Sequence, residues 1–291
     1  MDSSSDGSRP GVVAVVGATG RQGSAVVKHL LKDGWQVRAL TRNPASEAAQ
    51  ALLNFGAEVQ HADTEDPASL DRAFAGAYGL FNVQNPQAIG FDAEVRQGGN
   101  VAEAAAGTGI RHVVYGAAGV GDNRTGVDSW DSKLVIAQRF RDLGLPLTVL
   151  RPMAFMELMT DKGYYPQFST WHLMPKLMGP SRPVGWLCVD DLGAIAARMF
   201  ADPVRWSGAV LGLASDVQSI EQCRAMWQER TGRKPRGLPM PEKLFERFVG
   251  KDLTTMWRWL RTGQFDMSTQ TTHGILPEAL TVRQWLDRQS V

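Results

Sequence analysis

Cysteine is scarce in this sequence, which contains only Cys188 and Cys223 among its 291 residues. Two cysteines are too few to form a disulfide framework, and they lack the paired spacing of a zinc site. We therefore interpret both as small buried hydrophobic residues and expect no metal site. Sparing use of cysteine is typical of a reducing compartment, which favours the cytoplasm as the location of the protein.

The sequence also lacks an excess of either charge. Its 31 lysines and arginines nearly balance its 30 aspartates and glutamates, and the formal net charge is +1. Such a chain has no global field that would attract nucleic acid or an anionic membrane, and it has no basic cluster for binding nucleic acid directly. A small molecule is therefore the better expectation for a partner.

Long apolar runs are missing as well. No segment approaches the roughly 18 apolar residues that suggest a membrane-spanning helix. Residues 1–10 are polar and rich in serine, whereas a secretory signal has a basic start followed by an apolar stretch. We expect residues 1–10 to form a disordered tail and the protein to have no membrane association.

What is present is a regular alternation of short apolar runs with amphipathic stretches, the pattern of a parallel sheet covered by helices. We predict an α/β fold of Rossmann type, a doubly wound parallel sheet with helices on both faces, plus a smaller, mainly helical C-terminal domain. The Rossmann domain is expected at 11–152, and 153–291 form a mixed region in which 184–215 return to the sheet. The predicted strands are 12–16, 36–41, 58–61, 79–83, 112–115, 147–150, 184–189 and 209–213.

Three glycines, Gly17, Gly20 and Gly23, follow directly on the first β-branched run and open an amphipathic helix. Gly17 permits a tight turn, Gly20 lets the backbone approach a pyrophosphate, and Gly23 lets the helix pack on the strand. Free amides at the helix start can then receive phosphates. The spacing G-x-x-G-x-x-G differs from that of the usual dehydrogenases, but its place between strand and helix favours a dinucleotide site over a structural turn.

The end of the second predicted strand indicates which dinucleotide binds. Proteins that bind NAD carry an acid there, which accepts from the ribose hydroxyls, whereas this chain reads Thr41-Arg42-Asn43-Pro44. Arg42 can fork onto the extra phosphate of NADP and Thr41 can add a hydroxyl, so we predict NADP(H); the alternative for Arg42 is a solvated loop cation. Asp63, after the third strand, can accept from the adenine amine or simply stabilise a turn.

Several stretches of the sequence resemble the NmrA-like family, an atypical branch of the short-chain dehydrogenase/reductase superfamily. They are residues 17–23 (GATGRQG), 41–44 (TRNP) and 189–193 (VDDLG), and 279–286 (ALTVRQWL) are similar to the end of the family's redox-sensing members. The resemblance covers nearly the whole chain and implies an NADP-binding Rossmann domain with a small helical domain that closes a cleft. It also implies nucleotide contacts by Thr19, Arg21, Gln22, Arg42, Asp63, Gln84 and Asn85.

The loop that carries Gln84 and Asn85 has a second reading. By resemblance these two side chains line the ribose and nicotinamide side of the cofactor. The sequence alone fits a simple turn equally well, because Asn85 precedes a proline.

The resemblance also implies where catalytic residues should be. Dehydrogenases of the superfamily carry a serine after the fifth strand and a tyrosine four residues before a lysine. Here the fifth predicted strand is followed by GAAG at 116–119, and Ser129, a far weaker proton donor, stands at the tyrosine position. Lys133 is retained, and by resemblance it either binds nucleotide or acts as the catalytic acid or base. A plain surface lysine at the start of a helix is the alternative.

A segment rich in methionine and aromatic residues, 153–183, follows the predicted Rossmann domain and contains five methionines. It indicates either an adaptable apolar pocket for a substrate or an irregular core. Tyr164 and Tyr165 in this segment are candidates to replace the missing acid, although such tyrosines more often pack as amphipathic lid residues.

Two functions compete for this set of features. An intact cofactor turn beside a dismantled proton relay favours a regulatory or redox-sensing protein, in which bound NADP(H) alters the affinity for a protein partner. The alternative is an NADPH-dependent reductase of an apolar small molecule that uses Lys133. The apolar residues within 256–259 fit a homodimer contact and internal packing equally well.

Overall fold

The fold is built from ten strands in the computed structural model, which describes residues 11–84, 90–118, 121–161, 169–235, 240–263, 265 and 267–289. The strands are β1 Val12–Val15, β2 Gln36–Thr41, β3 Glu58–His61, β4 Gly79–Asn82, β5 His112–Gly116, β6 Leu147–Pro152, β7 Ala154–Phe155, β8 Pro183–Leu187, β9 Val210–Leu213 and β10 Asp216–Ser219.

Seven of these strands form one parallel sheet in the order β3-β2-β1-β4-β5-β6-β9. Its central strands are buried on both faces, which explains their continuous apolar sequences, such as Val12–Val15. The strand order reverses between β1 and β4, and doubly wound folds bind their ligands at this point, beyond the carboxyl ends of the strands.

Helices cover both faces of this sheet. On one face Val26 and Leu30 pack with Leu192 and Ile195, and on the other Leu70 and Val101 pack among neighbours from three helices. The fold class predicted from the sequence is therefore confirmed. The helices are α1 Arg21–Lys32, α2 Glu47–Asn54, α3 Pro67–Phe74, α4 Phe91–Gly107, α5 Asp128–Asp142, α6 Met174–Met178, α7 Val189–Ala201, α8 Pro203–Trp206, α9 Ile220–Thr231, α10 Glu242–Val249, α11 Asp252–Thr262, α12 Gln270–Ile275 and α13 Val282–Arg288.

A second region lies against the carboxyl edge of the sheet. Its three-stranded sheet has the order β10-β8-β7, with β10 antiparallel and β7 parallel to β8. A separate apolar cluster covers it and includes Trp171, Trp186 and Trp257. Trp186 is completely buried and its indole Nε1 donates to Gln218 O at 2.9 Å, which ties β8 to β10.

One part of the sequence-based layout is wrong. Residues 184–215 were expected to return to the large sheet, but only β9 does so, whereas β8 joins the three-stranded sheet. The alternation of apolar residues shows that a strand forms but not which strand it pairs with. That choice is made here by the burial of Val184 and Trp186 in the cluster of the second region.

Local boundaries also differ where tertiary contacts extend or create an element. The short strands β7 and β10 were not predicted, and α5 begins at Asp128, so Lys133 lies in its second turn and not at the start of a helix. This start places Ser129 and Lys133 on the same helix, four residues apart. None of the helices in the described residues is long and apolar enough to cross a membrane.

Candidate functional site

The glycine turn joins β1 to α1 and has the conformation that a dinucleotide requires. Gly17 has φ +75°, and a Cβ there would lie 2.7 Å from Val83 O. A Cβ on Gly23 would lie 2.1 Å from Gly17 O, so any larger residue would force the turn apart. Gly20, the N-cap of α1, carries no side chain to occupy the first amides of the helix, which remain suited to a pyrophosphate.

A cleft of about 720 Å³ extends from this turn along the carboxyl edge of the sheet. It brings together ten of the residues predicted as cofactor ligands. These ten are Gly17, Thr19, Gly20, Arg21, Gln22, Gly23, Thr41, Arg42, Gln84 and Lys133. Asn85, Tyr164 and Tyr165 lie outside the described residues.

The Arg42 end of the cleft is polar. Thr41, Arg42, Asn43 and Ser46 line it together, and the Thr41 hydroxyl accepts from Asn43 N at 3.2 Å. Asp63 is not among the lining residues. Its Oδ1 accepts from Glu65 N at 3.0 Å, which is the turn-stabilising role that the sequence left open.

An ion pair joins Arg21, which lines the cleft, to Asp161. Arg21 Nε lies 2.5 Å from Asp161 Oδ2, and the two side chains are 39% and 37% exposed. A pair this exposed contributes at most about 1 kcal/mol to stability. It nevertheless connects the glycine turn to the start of the second region, and no local pattern in the sequence predicts it.

The opposite end of the cleft contains a buried ion pair. Lys133 Nζ pairs with Glu94 Oε1 and also donates to Gln84 O at 3.2 Å, while Ser132 Oγ donates to Glu94 Oε2 at 2.5 Å. Glu94 is completely buried and Lys133 is 5% exposed, so the surface-lysine interpretation is wrong. Both carboxylate oxygens have partners, which makes a buried charge tolerable.

Two opposing effects act on Lys133. Burial lowers the pKa of its ammonium group, and the charge and hydrogen bond of Glu94 raise it. The neighbouring Tyr115 does not line the cleft, and burial, aided by the charge of Glu94, raises the pKa of its phenol well above the ordinary value. Lys133 is therefore the better placed of the two to exchange a proton with a molecule in the cleft.

Glu94 was not predicted as a site residue because it belongs to none of the sequence motifs. The sequence does contain a signal, since Glu94 shares the spacing of Gly98, Val101 and Ala105 on α4, and all four are buried. An acid on the otherwise apolar buried face of a helix requires a cation or donors nearby. The spacing alone does not identify Lys133 as that cation.

Ser129, Trp130 and Met256 line the cleft at the same end as Lys133. Trp130 meets Trp259 edge to face, with ring centroids 5.5 Å apart, and Ser129 N donates to Asp252 Oδ1 at 3.2 Å. The walls here come from α5 and α11. Among the described residues, no group of three or more histidine, cysteine, aspartate and glutamate side chains is arranged to hold a metal ion.

Comparison with known proteins defines the class of protein. The chain matches the model of the NmrA-like family over residues 10–286, and it belongs to that family. It is 31% identical over 255 residues to the NmrA-like family domain-containing oxidoreductase FrzB of Cladobotryum sp, covering 79% of this chain and 76% of that protein. It is 29% identical over 252 residues to the similarly described oxidoreductase lnaB of Aspergillus flavus, covering 79% and 75%.

Solved structures share the fold over almost the entire chain. The negative transcriptional regulator NmrA in complex with NADP superimposes with a TM-score of 0.76 at 20% identity, covering 96% of this chain and 95% of that one. The Citrobacter sp. triphenylmethane reductase complexed with NADP(H) gives 0.79 at 23% identity, covering 96% and 100%. At this level of identity the likeness establishes a common fold.

Proposed function

We propose that the protein is an NADPH-dependent oxidoreductase that reduces a neutral, apolar small molecule. The observation that carries the proposal is the Lys133–Glu94 pair, buried at the end of the cleft away from the phosphate-binding turn. Burying two charges is expensive, and ionisable groups in this situation cluster at functional sites. The description of the curated relatives FrzB and lnaB as oxidoreductases supports the same interpretation.

The residues of the cleft fit NADP(H). The backbone of the glycine turn and the start of α1 would hold the pyrophosphate, and Thr41 and Arg42 would hold the phosphate that distinguishes NADP from NAD. The NADP complexes of NmrA and of triphenylmethane reductase, which share the fold, support this assignment. When bound in its reduced form, the cofactor supplies a hydride.

Lys133 would supply the proton. Its ammonium group donates from Nζ to the substrate atom that gains negative charge, and Lys133 is then neutral until solvent returns a proton through the cleft. Burial makes this release easier, because it lowers the pKa of Lys133. Glu94 Oε1 and Gln84 O together hold Nζ in one position. Tyr164 and Tyr165 stay predicted as alternative donors.

The test follows reduced-nicotinamide absorbance with a panel of ketones, enones and quinones. We expect a steady, substrate-dependent loss of absorbance, and we expect Lys133→Met to lower kcat by about a hundredfold or more. The matched control is Lys28→Met, a change at an exposed position on α1 outside the cleft. Full activity of Lys133→Met would transfer the role to Tyr164 or Tyr165, to be examined by Phe substitution.

A regulatory protein is the second candidate function. It is favoured by Ser129 at the position where related dehydrogenases have tyrosine, and by the Arg21–Asp161 pair, which links the glycine turn to the second region. A phosphate bound at the turn would compete with Asp161 for Arg21 and so alter the surface there. Tight binding of NADP(H) by calorimetry, without consumption of NADPH by any compound of the panel, would support this function and refute the first.

A further inference from the structure

The second region contains a concave site of its own. A groove of about 470 Å³ lies between α9 and the helical turn Ser169–Leu173, and among the described residues it shares no lining residue with the cofactor cleft. Helix α9 contributes Glu221, Arg224, Ala225 and Gln228, whose spacing of three and four places them on one face. This α9 groove has the volume of a site for a small organic molecule.

The charges of α9 fall into two sets. Toward α13, Arg283 Nη2 lies 2.8 Å from Glu229 Oε2, and Arg230 Nε lies 3.7 Å from Asp287 Oδ1. Toward the groove, Arg224 is half-buried and, within the described ranges, belongs to no ion pair. A guanidinium that is partly withdrawn from water with no acid beside it favours a bound anion.

Lys234 adds a second cation to the groove. It follows the end of α9 closely and, in the described part of the chain, it also forms no ion pair. Arg224 and Lys234 outweigh Glu221, the one acid among the described lining residues, so the formal charge of the groove is +1 with His172 counted as neutral. An anion with a single charge balances it. A carboxylate suits the fork of an arginine, to which the lysine adds a point charge.

The other walls of the groove are apolar. Ala225 and Pro235 line it, and Trp171 forms its back. Trp171 is 2% exposed and is fixed on two sides, since its Nε1 donates to Met159 O at 3.2 Å and its ring meets Trp227 edge to face at 5.6 Å. A bare inorganic anion would leave these walls uncovered, whereas a carboxylate with a hydrocarbon body covers them.

We infer that the α9 groove binds a small organic monocarboxylate. The carboxylate group lies against Arg224 and Lys234, and the apolar body of the molecule lies along Ala225 and Pro235. This second site is separate from the cofactor cleft and does not rest on the proposed function.

Benzoate and benzamide are matched probes for this site, because they have nearly the same shape and differ in charge. Their dissociation constants are measured by calorimetry with saturating NADP⁺ present, which keeps the cofactor cleft occupied. We expect the wild-type protein to bind benzoate about tenfold more tightly than benzamide. Arg224→Gln and Lys234→Gln should each lose most of this preference. Arg233→Gln, at an exposed position that does not line the groove, is the control and should leave the preference unchanged.

Glu221→Gln gives a test in the opposite direction. It removes the acid of the groove and raises the formal charge to +2, so benzoate should bind about threefold more tightly while benzamide binding stays the same. A gain in affinity cannot come from a damaged fold. The indole signal of Trp171 in NMR spectra, assigned with Trp171→Phe, should shift on addition of benzoate to the wild type but not to Arg224→Gln.

Four results would overturn the inference. They are equal or undetectable binding of the two probes by the wild type, a preference retained by Arg224→Gln, competition between benzoate and NADP⁺, and binding of inorganic phosphate as tight as that of benzoate. The last result would assign the groove to anions in general. Failure of the proposed function is distinguishable, because it appears as a lack of NADPH consumption, which these measurements do not involve.

Discussion

The two ends of the cleft are built in different ways. At the phosphate end the turn from Gly17 to Gly23 lines the cleft, and its shape follows from glycines three residues apart. At the other end side chains from α4, α5 and α11 meet, and their geometry depends on contacts between residues far apart in sequence. The shape of the nucleotide-binding turn therefore has a local basis, whereas the proposed chemistry depends on the packing of α5 against α4 and α11.

The largest expected effect tests the end of the cleft that contains Lys133. Lys133→Met leaves Glu94 buried without its cation, so the free energy of unfolding should fall by about 3–5 kcal/mol. The double variant Glu94→Gln/Lys133→Met removes both charges and should recover much of this loss. Urea denaturation measures both variants. A double variant as unstable as Lys133→Met would mean that packing of the lysine stem, and not the ion pair, stabilises this end.

The second effect tests the glycine turn at the phosphate end. Gly23→Ala places a Cβ 2.1 Å from Gly17 O and should weaken NADP binding by about a hundredfold, because the turn must open. Gly99→Ala is the matched control. Gly99 lies within α4 with nothing within 4 Å of its added Cβ, so this change should stabilise the protein by about 0.5–1 kcal/mol. Calorimetric titration and thermal unfolding distinguish the two.

A third effect concerns the pH dependence of stability that arises from Glu157, which contacts the start of α7. Burial raises the pKa of Glu157 from 4.5 to about 7, although its Oε1 accepts from Val189 N at 3.0 Å. The folded protein therefore retains a proton that the unfolded chain has already released. Its stability should fall as the pH rises from about 4.5 to about 7, and the loss, on the order of 2 kcal/mol, should be complete above that range.

Glu157→Gln isolates this effect. The variant keeps the acceptor for Val189 N but cannot ionise, so it should be more stable than the wild type above pH 7 by on the order of 2 kcal/mol and converge with it at acidic pH. Denaturation across the pH range measures the free energy of unfolding, and Glu47→Gln at an exposed position is the control. An unchanged pH profile would show that Glu157 is ionised in the fold without a penalty.

The smallest expected effect separates the two cofactors at the phosphate end. Arg42→Ala should weaken NADP binding about tenfold and leave NAD binding unchanged, because only NADP carries the phosphate that the guanidinium would bind. The exposed control Arg72→Ala lies on α3 outside the cleft. Equal losses for NADP and NAD would assign Arg42 to another part of the nucleotide.

The alternation of apolar runs was sufficient to predict the parallel sheet and its covering helices, since a strand buried on both faces must be apolar throughout. It did not predict the partner of β8. The sequence of Pro183–Leu187 predicts a buried strand whichever sheet it joins. The burial of Trp186 among residues of the second region places β8 in the three-stranded sheet. Glu94 is a similar case: the spacing of buried residues on α4 indicates that it is buried, but it does not identify Lys133 as its partner.

The sequence by itself determined the sheet, the glycine turn and the absence of an acid after the second strand, because each depends on residues within a few positions of one another. Only the tertiary structure decided that Lys133 is buried against Glu94, 39 residues away, and that Ser129 meets Asp252, 123 residues away. Chain segments so distant are brought together by the packing of whole helices. That packing is a sum of many apolar contacts, and no local pattern encodes it.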